Sequence, residues 1–259
     1  MKPDYKNWMP KGMICAFAAA LAVSAAAACV LRLMPDGALK TALTAVFAAS
    51  TVLFLGLTVW SVLMYRAFSY NGKRQMSRQI IEGTAGYVKL PEGGVGLDVG
   101  CGSGALTIAC AKRNPKASFI GIDRWGKEYA SFSKQLCENN AKAEGVNNVT
   151  FRRGDAVKLE FPDGYFDAVT SNYVYHNIPG DRQLYLLETL RVLKKGGTFA
   201  IHDIFSESKY GDMRSFVKKL KDMGYESAEL IDTADGKFMT KSEASWMALS
   251  GSALLTGRK

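Results

Sequence analysis

The stretch VGLDVGCGSG, residues 95–104, decides the expected fold. It begins as a buried strand, continues as a glycine loop and opens an amphipathic segment near 104–113. Because glycine has no Cβ, a ligand can approach the backbone closely at Gly100, Gly102 and Gly104. A strand, a glycine loop and a helix in this order indicate a Rossmann-like unit that holds a nucleotide-like cofactor across the strand ends.

The rest of the chain after about residue 76 repeats the same alternation of apolar runs and longer amphipathic segments, which is typical of a mostly parallel sheet. We predict strands near 95–99, 118–123, 149–153, 166–172, 197–203, 227–232 and 252–257. We predict helices near 76–88, 104–113, 127–144, 182–193 and 212–223. The last two strands lack a helix-length connection and should pair antiparallel. The expected fold is α/β, a seven-stranded Rossmann-like sheet with helices on both faces.

Three consecutive strand ends each supply an acid. Asp98 precedes the first glycine of the loop and could meet a cationic ammonium group. Asp123 ends the second strand, roughly 20 residues beyond the loop, where ribose hydroxyls would lie. Asp155 follows the third strand and could accept from an exocyclic adenine amine. The spacing favours one adenosine site, but with Ala105 the loop also satisfies the looser dinucleotide pattern of nicotinamide and flavin enzymes.

Three motifs carry a resemblance to one family. DVGCGSG at 98–104 resembles the first motif of class I S-adenosylmethionine-dependent methyltransferases. FPDGYFDAV at 161–169 resembles that family's approach to its fourth strand, and LRVLKKGG at 190–197 resembles its turn before the fifth strand. Lys195 departs from the pattern, since many members carry proline there. The resemblance covers about residues 76–259 and implies methyl transfer from S-adenosylmethionine.

The resemblance also implies where the cofactor binds. Asp98 and the backbone around Gly100 and Gly102 would hold the methionine portion, Asp123 the ribose, and Asp155 with Ala156 the adenine. Trp125 would either cover an adenine face or pack as an ordinary aromatic residue. Cys101 is expected to serve as a small loop residue and not as a catalytic thiol. The expected cofactor-binding residues are Asp98, Gly100, Cys101, Gly102, Gly104, Asp123, Arg124, Trp125, Asp155, Ala156 and Asn172.

The segment SNYVYHN at 171–177 should border the methyl-transfer site, because the family places this loop beside the cofactor's sulfur. His176 is the leading candidate for a general base, oriented by a neighbouring tyrosine, and a structural or helix-capping histidine is the alternative. Tyr173 and Tyr175 would line the acceptor pocket or pack against the sheet. His202 and Asp203 end the fifth strand, where His202 is expected to pack and Asp203 is a weaker site candidate.

The first part of the chain is much more apolar than the rest. Segments 12–31 and 41–64 carry no charged residue, and each reaches the roughly 20 residues that a helix needs to cross a bilayer. The connection between them, RLMPDG at 32–37, contains the proline and glycine of a tight turn. We therefore predict a transmembrane hairpin within residues 1–65, a linker at 66–75 and the methyltransferase domain at 76–259.

Basic residues indicate the orientation of this hairpin. Seven of them flank its outer ends and two lie in the connection: Lys2, Lys6, Lys11, Arg66, Lys73, Arg74 and Arg78, against Arg32 and Lys40. By the positive-inside rule, both termini and the catalytic domain should be cytoplasmic. A signal peptide or a lipoprotein signal at 26–29 is the alternative for the first segment. Small residues at Ala45 and Ala49 would allow homo-oligomerisation through the hairpin.

Composition narrows the partners. The net charge is +9, but the basic residues are scattered, and the Asn-Pro-Pro-Tyr motif of many nucleic-acid methyltransferases does not follow the fourth strand. We therefore expect membrane lipids and a small or lipid acceptor as partners, and no nucleic acid. The five cysteines lack metal-ligand spacing, so we expect reduced thiols and no metal. A nicotinamide or flavin oxidoreductase and a cofactor-binding pseudoenzyme scaffold stay open as alternatives.

Overall fold

The computed structural model describes residues 2–126 and 131–259. The chain divides into two compact units. The smaller unit is Asn7–Ser77, and the larger unit contains Arg78–Lys259 together with the residues that precede Asn7. The catalytic candidates all belong to the larger unit.

The smaller unit is a pair of apolar helices. Helix α1 spans Lys11–Val30, a single 3₁₀ turn follows at Leu31–Leu33, and helix α2 spans Ala38–Phe68. Both helices are long and apolar enough to cross a membrane, and little of either is buried inside the molecule. The helix α2 extends beyond the predicted segment 41–64 at both ends, because charged Lys40 and Arg66 lie within its outer turns.

The two ends of this helical pair meet. Asn7 donates from Nδ2 to the carbonyl of Tyr65 at 2.7 Å, and the rings of Trp8 and Phe68 lie 5.6 Å apart. The chain therefore enters α1 and leaves α2 at the same end of the pair, as a hairpin requires.

Polar groups inside α2 are satisfied within the helix. Ser50, Thr51 and Thr58 each donate a hydroxyl to the carbonyl four residues earlier, at 2.7 to 2.9 Å. Such bonds remove the cost of placing a hydroxyl in an apolar medium. The helix can therefore carry these residues without a polar partner on another element.

The larger unit is built on one seven-stranded sheet. Its strands are β1 Val95–Val99, β2 Ser118–Asp123, β3 Val149–Arg153, β4 Phe166–Asn172, β5 Leu193–Ile204, β6 Ser227–Asp232 and β7 Ser252–Arg258. The spatial order is β3-β2-β1-β4-β5-β7-β6. The first five strands pair in parallel, and β7 pairs antiparallel with both β5 and β6. The predicted fold class and the antiparallel last pair are confirmed.

Helices lie before and between the strands. They are α3 Met76–Ala85, α4 Ala105–Arg113, α5 Lys134–Ala143, α6 Arg182–Arg191, α7 Glu207–Tyr210, α8 Met213–Asp222 and α9 Lys241–Trp246. Residues 127–130, the start of the helix predicted at 127–144, lie outside the described residues, and α5 begins after the N-cap Ser133. The short helices α7 and α9 escaped prediction because each is too short to show a period.

One strand boundary differs from the prediction. Strand β5 begins at Leu193, not near residue 197, and Leu193 already pairs with Phe166 of β4. The register shifts between Phe166 and Ala168, so the glycines at 196 and 197 form an irregularity inside the strand instead of a turn before it. Lys194 secures this start by binding both carboxylate oxygens of Asp167, at 2.8 and 2.9 Å.

The N-terminal segment is bonded to α5 of the larger unit by an asparagine, and the Tyr5 hydroxyl donates to Glu144 just after that helix at 3.1 Å. Asn140 of α5 accepts from the backbone nitrogen of Asp4 at 2.7 Å and donates from Nδ2 to the carbonyl of Asp4 at 3.0 Å. The same Nδ2 group donates to the carbonyl of Ser103 in the glycine loop at 3.0 Å. One buried amide thus joins the start of the chain to the loop that the sequence singled out.

Candidate active site

The glycine loop follows β1 and is held against β2. The backbone nitrogens of Gly100 and Cys101 both donate to the carbonyl of Ile122, at 2.8 and 3.0 Å. Gly100, Gly102 and Gly104 have φ values of +73°, +55° and +81°, which side chains with a Cβ rarely adopt. A Cβ at Gly100 would lie 2.3 Å from Cγ2 of Val174, so glycine is required there for packing as well.

Gly102 has room for a side-chain carbon beside its backbone. A Cβ built there would find its nearest neighbour, the ring of Phe132, only at 3.8 Å. The Gly102 nitrogen points at the Asp123 carboxylate, which accepts it at 2.9 Å. The loop therefore leaves room for a ligand at Gly102, as the sequence predicts for a close approach of a cofactor.

Asp98 lies beneath the loop and not at its open side. Only 1% of this residue is exposed, and its two carboxylate oxygens accept hydroxyl hydrogen bonds from Thr107 at 2.6 Å and Thr170 at 2.9 Å. Burial raises the pKa of the Asp98 carboxyl to about 7, although both hydrogen bonds lower it. This geometry favours anchoring of β1, α4 and β4 over the direct ammonium contact that we expected.

Asp123 and Trp125 form a second anchor at the end of β2. Besides Gly102, the Asp123 carboxylate accepts the backbone nitrogen of Trp125 at 2.7 Å. The Trp125 indole donates from Nε1 to the carbonyl of Gly102 at 3.0 Å, and its backbone has a φ of +44°. The indole thus lies against the glycine loop, and a carboxylate oxygen can still accept a further hydroxyl because each has two lone pairs.

The remaining cofactor candidates spread along the same edge. Asp155 is exposed and accepts the Val157 nitrogen at 2.9 Å, while Ala156 beside it is buried. Arg124 is exposed. Cys101 is buried, and burial raises the pKa of its thiol well above the ordinary value, so it is not a nucleophilic thiolate.

The loop after β4 brings the catalytic candidates together. Tyr173 has a φ of +54° and donates its backbone nitrogen to the carbonyl of His202 at 2.8 Å. Its hydroxyl pairs with Ser252 Oγ at 2.8 Å, and its ring lies 5.9 Å from the ring of His176. Tyr173 therefore borders His176 but already has a structural partner for its hydroxyl.

Tyr175 is a packing residue. It is fully buried, and its hydroxyl is hydrogen-bonded to Thr189 Oγ1. Burial raises the pKa of its hydroxyl well above the ordinary value. Of the two roles that we expected for Tyr175, packing against the sheet is the one that the structure shows, and an acceptor-lining role is incompatible with its burial.

His176 is oriented by an aspartate and not by a tyrosine. Its Nδ1 lies 2.5 Å from Oδ1 of Asp203, which is fully buried at the end of β5. The Asp203 carboxylate is fixed in turn by the backbone nitrogens of Tyr175 at 2.9 Å and Ile204 at 2.7 Å. Because Nδ1 is engaged, the opposite ring nitrogen, Nε2, is the one that can exchange a proton with a bound molecule.

Behind these residues lies His202, also on β5. Its Nδ1 is 2.9 Å from Oδ1 of Asn172, and its Nε2 is 2.8 Å from Oγ1 of Thr233. It is fully buried, and burial lowers the pKa of its imidazole to about 3. The ring is therefore neutral at physiological pH. It packs as expected, but it also holds Asn172, which we had assigned to the cofactor.

These residues fit an adenosine-containing cofactor. The ends of β1, β2 and β4 lie side by side in the sheet, so the glycine loop, Asp123 and Asn172 share one edge. The open backbone at Gly102 is a place that a side chain would fill. A surface hollow formed by α5, the turn after it and β3 does not include these residues. Within residues 2–126 and 131–259, no cluster of three metal-ligating side chains occurs.

The sequence motifs indicate Asp203 only as a weaker site candidate, and they do not point to Thr107, Thr170 or Phe132. The parallel pairing of β4 with β5 aligns Asn172 with His202, so the next residue of β5, Asp203, faces the loop after β4. This pairing identifies Asp203 as a candidate site residue. Thr107 and Thr170 matter because they donate to the buried Asp98 carboxylate, and the sequence motif alone does not show that Asp98 is buried.

Comparison with known proteins shows similarity to methyltransferases. A family model for a methyltransferase domain matches residues 91–248. The chain is 30% identical over 163 residues to demethylmenaquinone methyltransferase of Geobacillus stearothermophilus, covering 62% of this chain and 64% of that protein. It is 33% identical over 120 residues to arsenite methyltransferase of Aquipseudomonas alcaligenes, covering 45% and 34%. The chain thus spans between about a third and two thirds of the length of these relatives.

Solved structures share the fold. The cyclase SpnF aligns with a TM-score of 0.54 at 20% identity, covering 74% of this chain and 85% of that chain. Geranyl diphosphate methyltransferase, solved with GPP and sinefungin, aligns with a TM-score of 0.54 at 14% identity, covering 75% and 82%. Since one of these neighbours is named as a cyclase, the shared fold does not assign the reaction.

Proposed function

The chain belongs to the methyltransferase-domain family whose model matches residues 91–248, and we propose that it moves a methyl group from S-adenosylmethionine to a small lipophilic acceptor. The proposal rests on one observation, which is that two features lie at the same edge of the sheet. An open glycine loop with Asp123 is suited to the cofactor, and the His176–Asp203 pair follows the neighbouring strand β4.

In this proposal the bound cofactor supplies an electrophilic methyl group on a positively charged sulfur. The backbone at Gly102 would hold the methionine part and the Asp123 carboxylate the ribose, and Asn172 would border the methyl group. His176 would take the proton from the acceptor at Nε2 while an electron pair of the acceptor bonds to the methyl carbon, and the electron pair of the broken carbon–sulfur bond would stay on sulfur. The buried Asp203 carboxylate stabilises the resulting imidazolium and fixes the ring's tautomer.

Location and similarity together suggest the class of acceptor. We propose that α1 and α2 form a membrane hairpin with both ends cytoplasmic. The length and composition of both helices, the internal hydroxyl bonds of α2 and the excess of basic residues outside the connection support this topology. An enzyme tethered in this way meets membrane-dissolved compounds at high local concentration. The name of the Geobacillus relative makes demethylmenaquinone the first acceptor to test.

The primary test is identification of the product. The full chain in detergent or lipid vesicles is incubated with methyl-labelled S-adenosylmethionine and a bacterial membrane extract, and labelled species are identified by mass spectrometry. We expect a labelled lipophilic product that His176→Asn fails to form. Binding of NAD(P) without any binding of S-adenosylhomocysteine, measured by calorimetry, would overturn the assignment.

A second test concerns the acceptor class. Long-tailed demethylmenaquinone and a water-soluble analogue without the isoprenoid tail, both chemically reduced to the hydroquinone that His176 can deprotonate, are compared with the full chain in the same vesicles. We expect a higher kcat/KM for the long-tailed compound. Equal values would reject the lipophilic acceptor and leave methyl transfer itself intact.

A further inference from the structure

The side chain of His202 lies at the centre of a buried polar chain that the reaction does not use directly. Its Nδ1 contacts Asn172 Oδ1 at 2.9 Å, and its carbonyl accepts the backbone nitrogen of Tyr173 at 2.8 Å. Its ring lies 4.7 Å from the Tyr173 ring. His202 therefore touches both residues at the point where β4 ends and the methyl-transfer loop begins.

The opposite side of the ring is held from elsewhere in the sheet. Nε2 lies 2.8 Å from Thr233 Oγ1, just after β6, and the ring of Phe238 is 5.4 Å away. Thr233 Oγ1 also lies 2.9 Å from the carbonyl of Ser252, whose own hydroxyl contacts that of Tyr173 at 2.8 Å. His202 thus spans from the loop after β6 to the loop after β4, and its position is fixed on both sides.

The hydrogen-bond chemistry determines the tautomer. A carboxamide oxygen only accepts, so His202 must carry its proton on Nδ1 to bond Asn172 Oδ1. The single hydroxyl hydrogen of Thr233 then goes to Nε2, and the Ser252 carbonyl keeps the Thr233 backbone nitrogen as its donor at 3.1 Å. Burial keeps the ring neutral, so it cannot carry both protons. With its oxygen held in this way, the Asn172 carboxamide keeps one orientation, in which its Nδ2 group is available to donate to a bound molecule.

We propose that His202 is a positioning residue, protonated on Nδ1, that fixes the Asn172 carboxamide and the strained Tyr173 backbone at the cofactor edge. The inference rests on the proposed function, because it assigns a purpose to residues of that same edge. His202 itself touches neither the cofactor nor the acceptor, and it acts through Asn172.

Two substitutions of His202 test the contacts on the two sides of its ring separately. In His202→Asn, the side-chain amide reaches about as far as Nδ1, so the donor to Asn172 is kept and the Thr233 contact is lost. In His202→Gln, the longer amide reaches toward Thr233, and the donor to Asn172 is lost. Both variants remove the aromatic ring and should lower the melting temperature by similar amounts.

The affinity for S-adenosylhomocysteine, measured by calorimetry on the full chain in detergent, is the deciding readout. We expect His202→Asn to bind within about threefold of the unaltered protein and His202→Gln to bind about tenfold more weakly, the usual scale for one positioned hydrogen bond. A merely structural histidine would give equal losses in the two variants. Equal affinities would therefore overturn the inference.

A second measurement does not depend on the function. The chain has two histidines, so ¹⁵N-histidine NMR resolves both rings once His176→Asn assigns one of them. We expect the His202 signals of a neutral ring protonated on Nδ1, in contrast to the Nε2-protonated form that free histidine prefers. Protonation on Nε2 would overturn the inference even if the cofactor binds. Failure of the unaltered protein to bind S-adenosylhomocysteine, with Nδ1 protonated, would instead reject the proposed function.

Discussion

At the residue scale, the site depends on buried groups whose partners decide their chemistry. Asp98, His202 and Asp203 are almost or fully buried, yet only Asp203 is linked to a side chain, that of His176, able to exchange a proton with an acceptor. Asp98 binds two threonine hydroxyls, and His202 binds Asn172 and Thr233. In the proposed reaction one side chain, that of His176, carries the chemistry, and the others hold the backbone that positions it.

The first residue-scale prediction concerns His176. We expect His176→Asn and Asp203→Asn each to lower kcat by about 10²- to 10⁴-fold, the usual contribution of a positioned general base, with a much smaller change in KM. The assay is initial-rate kinetics with the acceptor identified by mass spectrometry. Asn177→Ala, at the exposed neighbour of His176, is the control and should keep nearly full activity.

The second prediction concerns stability against pH. The folded-state pKa of His202 is lowered to about 3 from 6.5, so its contribution to stability is present above about pH 6.5 and is lost as the pH falls toward 3. The folded-state pKa of Asp98 is raised to about 7 from 3.8, so its contribution is present at low pH and is lost as the pH rises through 7. Between about pH 4 and 6.5 the two effects oppose each other.

Chemical denaturation across this pH range separates these contributions. Relative to the unaltered chain, His202→Asn should gain stability as the pH falls from 6.5 to 4, because no buried imidazole then needs to stay neutral. Asp98→Asn should lose stability over the same change, because the protonation of the carboxyl is gone. Parallel pH profiles for all three proteins would contradict the assigned pKa shifts.

At the element scale, two substitutions in the glycine loop distinguish its role in packing from its proposed role in cofactor binding. Gly100→Ala introduces a Cβ 2.3 Å from Val174, at a φ of +73°. We expect it to destabilise the fold by about 2 kcal/mol or more, through strain and a clash with the methyl-transfer loop. Gly102→Ala meets no atom closer than the Phe132 ring at 3.8 Å, at a φ of +55°, and should cost only about 1 kcal/mol.

Cofactor affinity should rank the two variants in the opposite order. Relative to the stability that each loses, Gly102→Ala should lose more affinity for S-adenosylhomocysteine than Gly100→Ala. Gly102→Ala fills the space that the cofactor needs, so we expect a loss of S-adenosylhomocysteine affinity of about tenfold or more despite a small change in melting temperature. Calorimetry and thermal denaturation on the same preparations measure both quantities. Unchanged affinity in Gly102→Ala would place the cofactor elsewhere.

Much of this element-scale picture follows from the sequence. All seven strands and the glycine loop lie where apolar runs and glycines predict them, because the parallel sheet demands continuous apolar segments. The start of β5 could not be predicted, since two glycines suggest a turn and only the pairing of Leu193 with Phe166 shows a strand. The pairing of Asp203 with His176 needs one step beyond the motifs, because it follows from the register of β4 against β5, which aligns Asn172 with His202.

At the scale of the whole molecule, the proposed topology has a direct test. Starting from a variant without native cysteines, single cysteines replace Asp36 in the connection between α1 and α2 and Lys73 after α2. In intact spheroplasts, a membrane-impermeant maleimide should label position 36 and not position 73, since the excess of basic residues favours cytoplasmic ends. Labelling of both positions only after lysis would show that the connection is not exported.

The attachment of the N-terminal segment to Asn140 also has a consequence for biosynthesis. Asp4 and Asn140 are 136 positions apart, so Asp4 waits for its partner until 136 further residues have been made. At about 5 to 20 residues per second, that wait lasts roughly 7 to 27 seconds. By then both apolar helices have been synthesised. The contact between Asp4 and α5 therefore forms after the stage at which, in the proposed topology, α1 and α2 would enter the bilayer.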